Sequence, residues 1–175
     1  MNASDGIDAI WRTYQTTLDC FKIASRSISR NDIRLLKKTG FIEDTEDDAS
    51  NKITSCQNDA NDFVIVSLWA SFERNLFLYL TTDIVNLQSK LFTEKVADHI
   101  ERLKLSDVLD SFKKVGIDSN LIGQAKQIYD YRNWIAHRNA KKTPSANVTP
   151  DMAYATLVEV TRQLDVINSL SNNNK

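Results

Sequence analysis

The segment Tyr131-Arg132-Asn133-Trp134-Ile135-Ala136-His137-Arg138 gathers residue types suited to a phosphodiester. Arg grips phosphate oxygens with its planar fork, a neutral Asn orients them by hydrogen bonds, and His exchanges protons near neutral pH. If this segment is helical, Asn133 lies four residues before His137 and shares its face, as does Asp130, seven before it. Arg132 precedes His137 by five, about 140° round the helix. Its long side chain can swing towards the imidazole, or both can face a second copy of the helix. Lys126, Arg138, Lys141 and Lys142 make the neighbourhood basic within a chain of formal net charge -1, with Arg138, Lys141 and Lys142 as candidate substrate-binding cations. The plainer alternative pairs Arg132 with a carboxylate and leaves His137 as a satisfied polar residue near a helix end. Spacing alone favours it, because most helices contain some such triplet.

Other reaction signatures are missing. Four scattered glycines cannot build a GxGxxG or GxxxxGKS/T phosphate cradle, and no GxSxG elbow exists. His99 and His137 are the only histidines and Cys20 and Cys56 the only cysteines, with no ligand spacing among them, so neither metal nor cofactor is expected. His99 flanks an apolar face of Val96, Ile100 and Leu103 and reads as a boundary histidine. A charge of -1 argues against a protein held to nucleic acid by bulk positive charge. The most apolar stretch, Phe63 to Leu80, carries Glu73, Arg74 and Asn75, whose burial in lipid would be costly. Residues 1–30 contain no uninterrupted apolar run. The expectation is a soluble, cytoplasmic protein with no membrane partner.

The elements that must position these residues read as helices. With Gly 4 and Pro 2 in 175 residues, the chain lacks the turn residues that a sandwich, barrel or doubly wound sheet needs. Ser4 can cap a first helix, with Ile7, Ile10, Trp11, Tyr14, Leu18, Phe21 and Ala24/Ser25 at three- and four-residue steps. A short piece, Asn31 to Lys38, should stop at a left-handed Gly40. Residues 43–48, EDTEDD, read as a solvated loop or frayed helix start, or as an edge that repels phosphates. A central helix is expected from about Asp59 to Asp83, with Ile65, Trp69, Phe72, Leu76 and Tyr79 as one stripe and Val66, Ala70, Phe77 and Leu80 extending it. Glu73 falls within that second stripe, so its carboxylate should be desolvated and need a partner from another helix.

Further helices are expected from Thr93 (Val96, Ala97, Ile100, Leu103) and from Ser106 to near Gly116 (Val108, Leu109, Phe112). Another should run from Asp118 or Ser119 to Arg138, with Leu121, Ala125, Ile128 and Ile135 on one face. After a loop at 139–150, a last one starts at Asp151 with Ala155, Leu157, Val158, Val160, Leu164 and Ile167. The sum is an all-α, single-domain bundle of five to six helices. Residues 1–58 would form a helical extension with an acidic loop, 59–170 the bundle, and 171–175 a disordered tail.

RNWIAH, residues 132–137, resembles the RNxxxH motif of the HEPN superfamily, small all-helical proteins of which many are metal-independent endoribonucleases in toxin–antitoxin and antiviral systems. The motif's place at the end of a penultimate long helix is similar too. So is WASFERNLF, whose Phe72-Glu73 resembles an aromatic–acid pair of an earlier core helix. The resemblance covers residues from about 60 to 170. It implies Arg132 and His137 as the catalytic pair and Asn133 as the polar residue after the Arg, with Glu73 in support, either pairing with Arg132 or in a separate salt bridge. It further implies an RNA substrate, attack by a ribose 2′-OH to leave a 2′,3′-cyclic phosphate, two motif helices facing each other across a homodimer, and an antitoxin protein as a potential partner. Members silenced by nucleotidyl transfer often carry Tyr two residues after the His; here that position is Asn139, so that modification is not available. Some relatives serve instead as non-catalytic nucleotide- or RNA-binding or adaptor modules, which is the alternative function.

Overall fold

The computed structural model describes residues 4–82, 105–137 and 143–173. Among them are six helices and no strand: α1 (Asp5–Ser29), α2 (Ile33–Leu36), α3 (Glu46–Thr82), α4 (Leu105–Lys114), α5 (Ser119–His137) and α6 (Pro150–Asn173). The expected segment from Thr93, with His99, lies outside the described residues, as do Arg138, Lys141 and Lys142.

Local chemistry sets the helix boundaries. Thr45 caps α3: its hydroxyl accepts from Asp48 N–H at 3.1 Å and donates to the Asp48 carboxylate at 2.7 Å. The acidic run is therefore half cap and half first turn, where carboxylates suit the positive helix end. Asp118 caps α5 by accepting from Asn120 N–H at 2.7 Å. Thr149 caps α6 by accepting from Met152 N–H at 3.2 Å, with Pro150 at the first helical position. After α2 the left-handed residue is Lys38, φ 68°, rather than Gly40; the expected glycine conformation occurs at Gly116, φ 103°, beyond α4. α6 continues to Asn173, so the backbone of 171–173 is helical where a disordered tail was expected.

α3 begins at Glu46 instead of near Asp59, and the expected division at residue 58 falls inside it. Its lower half packs with α1 and α2 in a satellite cluster of Ile28, Ala49 and Ile53, flanked by Phe21, Ala24, Leu36 and Phe41. Its upper half is the centre of the main core. Ile65, Leu68, Trp69, Phe72 and Leu76 are buried there against Ile7 of α1, Leu109 and Phe112 of α4, Ile122, Ala125 and Ile128 of α5, and Leu157, Val160 and Leu164 of α6. Ala70 is exposed and Glu73, Val66 and Phe77 are half-buried, so the second stripe is α3's boundary rather than its core.

Side chains at the rims fix how the helices run. Gly6 approaches Ser71 so closely that a Cβ would stand 2.8 Å from its Oγ, while Tyr14 donates to Asn61 at 2.6 Å, so α1 and α3 are antiparallel. Tyr131 donates to Asp62 at 3.1 Å and Tyr129 packs on Trp69 with ring centroids 5.3 Å apart, so α5 is antiparallel to α3 as well. Thr156 donates to Gln124 at 3.2 Å and the Asp118 N–H to Gln163 at 3.4 Å, which sets α6 antiparallel to α5. Tyr154 donates to Asp8 at 2.9 Å while its ring stacks on Trp11, and Tyr79 donates to Asp165. Four of the five tyrosines, two buried and two half-buried, therefore end on a carboxylate or amide of another helix, satisfying the hydroxyl that burial would otherwise strand.

Burial holds the Tyr14 and Tyr79 hydroxyls above the usual tyrosine range, as does the Asp8 hydrogen bond for Tyr154. Such groups stabilise the fold fully below about pH 10, where the unfolded tyrosine is protonated, and that contribution is lost as pH climbs beyond it. In an alkaline titration, phenolate absorbance from these residues should appear only together with loss of helical circular dichroism. Full ionisation of all tyrosines near pH 10 with helicity intact would contradict the clamps.

Candidate functional site

The last two turns of α5 hold the motif. The rotation of α5 follows from its buried line: Ala125, Ile128 and Ile135 face the core, joined by Ile122, which the expected face centred on Leu121 overlooked. Arg132 continues that line between Ile128 and Ile135, and is half-buried for this reason. Its Nη1 donates to Asn133 Oδ1 at 3.0 Å, and its Nε is buried with no hydrogen-bond partner. Because a cation occupies the Asn133 oxygen, the amide nitrogen is left to donate to an acceptor such as a phosphate oxygen.

Asn133 and His137 line one cleft of about 320 Å³ together with Asp130, Trp134, Thr143, Pro144 and Ser145. His137 is exposed and is the final residue of α5. The helical spacing of 130, 133, 134 and 137 supplies one wall, and Thr143, Pro144 and Ser145 supply the other. Asp130, Asn133 and His137 thus share a site as their spacing suggested. Arg132 is not part of the cleft lining, and it reaches the others through Asn133. The wall from Thr143 to Ser145 had no sequence signal, since a loop's return path depends on the packing of α6. Trp134 had one: it precedes His137 by three and follows Asp130 by four.

Glu73 does not join this site. Glu73 is not among the residues that line the cleft. No salt bridge among the described residues includes either Glu73 or Arg132, so the expected ion pair is absent there. The plainer alternative, in which Arg132 pairs with a carboxylate, is likewise not what this geometry shows. Lys126 is also engaged elsewhere, bonded to Asp110 of α4 at 2.5 Å; with Lys113 at 2.9 Å it holds that carboxyl down at about 2.

The described residues contain no group of three His, Cys, Asp or Glu side chains placed to hold a metal ion. Nor do they include a helix long and apolar enough to cross a membrane. Compared with protein-family models, curated proteins and solved structures, the chain matches none.

An unpaired, buried N–H carries a desolvation penalty of about 1–3 kcal/mol. Arg132→Met keeps an unbranched apolar stem and removes that donor. It should therefore leave the melting temperature unchanged or raise it by about 2–4 °C for a chain of this size. A comparable fall in thermal denaturation would mean that Arg132 is a structural tie.

Proposed function

We propose that this protein is a metal-independent endoribonuclease of the HEPN type, acting in the cytoplasm in toxin–antitoxin or antiviral defence. The observation that carries this reading is the cleft at the end of α5, where an exposed imidazole and a donor amide stand side by side and the amide is tied to a guanidinium. The ribose supplies its own nucleophile, so no Ser or Cys elbow is needed. His137 takes the 2′-OH proton as the oxygen attacks phosphorus, or returns a proton to the leaving 5′-oxygen. Proton transfer of this kind is worth about 10²–10⁴-fold. Asn133 Nδ2 donates to a non-bridging oxygen. Arg132 stabilises the charge that builds on the phosphoryl group, an electrostatic contribution of several kcal/mol in comparable sites.

The C-terminal end of a helix carries partial negative charge and disfavours a phosphate, and Asp130 adds to this. Cations must offset both, which gives roles to Arg132 and to Arg138, Lys141 and Lys142. One imidazole cannot conveniently be base and acid in a single turnover, so two copies of α5 facing each other in a homodimer divide the work. An antitoxin protein covering the cleft would silence it. The second reading, a non-catalytic RNA- or nucleotide-binding module, is favoured by one observation: Arg132 lies outside the cleft lining and reaches it only through Asn133.

His137→Ala and Arg132→Ala separate the two. Each should reduce cleavage of mixed cellular RNA by about 10²-fold or more, with helicity and dimerisation intact and with EDTA making no difference. Full activity in both variants would overturn the site assignment, and wild-type protein that binds RNA without cutting it would establish the module.

A further inference from the structure

Trp134 is half-buried, packs against the main core and beside Tyr131 with ring centroids 5.6 Å apart, and lines the same cleft as Asn133 and His137. An aromatic ring beside phosphate-directed donors is the arrangement by which proteins hold an unpaired base, because every base offers a π-face. Pro144 contributes a second apolar surface to the cleft, while Thr143 and Ser145 contribute hydroxyls able to meet a base edge. At about 320 Å³ the space sits at the lower limit of the roughly 300–1,000 Å³ of small-molecule sites, enough for one nucleotide-sized unit.

We infer that the cleft is a single-nucleotide subsite in which Trp134 stacks on an unpaired nucleobase while Asn133 and His137 face the adjoining phosphate. It deepens the ribonuclease reading by restricting the substrate to single-stranded RNA, since a paired base would have to leave its helix to enter. Trp134 is thus a positioning residue that sets register between base and scissile bond. The formal charge of -1 accords with this, because stacking supplies affinity that the chain's overall charge does not.

The test is binding of a short 2′-O-methyl oligoribonucleotide, which cannot be cleaved, alongside a nucleoside 3′-monophosphate and the same oligonucleotide as a duplex. Affinities are read by calorimetry for wild type, Trp134→Ala and Trp134→Phe, each shown to be folded by circular dichroism. Stacking on one ring is worth about 5- to 150-fold in affinity. Trp134→Ala should lose that factor for both single-stranded probes, Trp134→Phe should keep most of it, and the duplex should bind far more weakly. Binding of the oligonucleotide alone would assign the subsite to an RNA strand, and equal loss with the monophosphate would extend it to free nucleotides. Equal affinity of Trp134→Ala and wild type, or a duplex bound as tightly as the single strand, would overturn the subsite. RNA cleavage persisting beside an inert Trp134→Ala change leaves the nuclease reading standing. Trp134-dependent binding without any cleavage removes the nuclease and keeps the base site.

Discussion

The antiparallel seating of α5 on α3 is the constraint on which the cleft depends. Tyr129 lies against Trp69 and Tyr131 reaches Asp62, so α5 can neither rotate nor slide without breaking an aromatic contact or stranding a hydroxyl. With that rotation fixed, Ala125, Ile128 and Ile135 turn inwards, and 130, 133, 134 and 137 turn towards the segment that leads into α6. The cleft is a consequence of core packing. Its wall is as rigid as the bundle, whereas a site built wholly on loops would need its own supports.

Arg132 shows what this arrangement entails. A core-line position occupied by a guanidinium leaves Nε buried and unpaired, a local conflict between stability and residue type. Such conflicts concentrate where function outweighs packing. Trp69 carries a second one, a fully buried indole whose Nε1 has no partner, and it belongs to the same α3–α5 interface. Tyr14, Tyr79, Tyr131 and Tyr154, by comparison, each donate to an acceptor on another helix.

Much of this was legible in the sequence. Scarcity of glycine and proline dictated helices, and the main stripe of α3 (Ile65, Trp69, Phe72, Leu76, Tyr79) is buried as its spacing required. The shared face of Asp130, Asn133 and His137 was equally legible, because i, i+3 and i+4 spacing is a local property. What was lost was non-local. Glu73 looked desolvated because its neighbours Ala70 and Phe77 are apolar, yet the packing of α3 leaves that side at the half-buried boundary of the core. The start of α3 was missed because an acidic run reads as loop until Thr45 is seen capping it. Register between helices is encoded in rim tyrosines whose partners are distant in sequence.

The central claim, that the end of α5 directs a ribose hydroxyl onto its own phosphate, is tested most directly by mass spectrometry of RNA fragment ends after incubation with the protein. Fragments should carry a 2′,3′-cyclic phosphate, or the phosphate left by its opening, matched by 5′-hydroxyl ends. Fragments with 3′-hydroxyl and 5′-phosphate ends would require an external water and a different site, and would contradict the account.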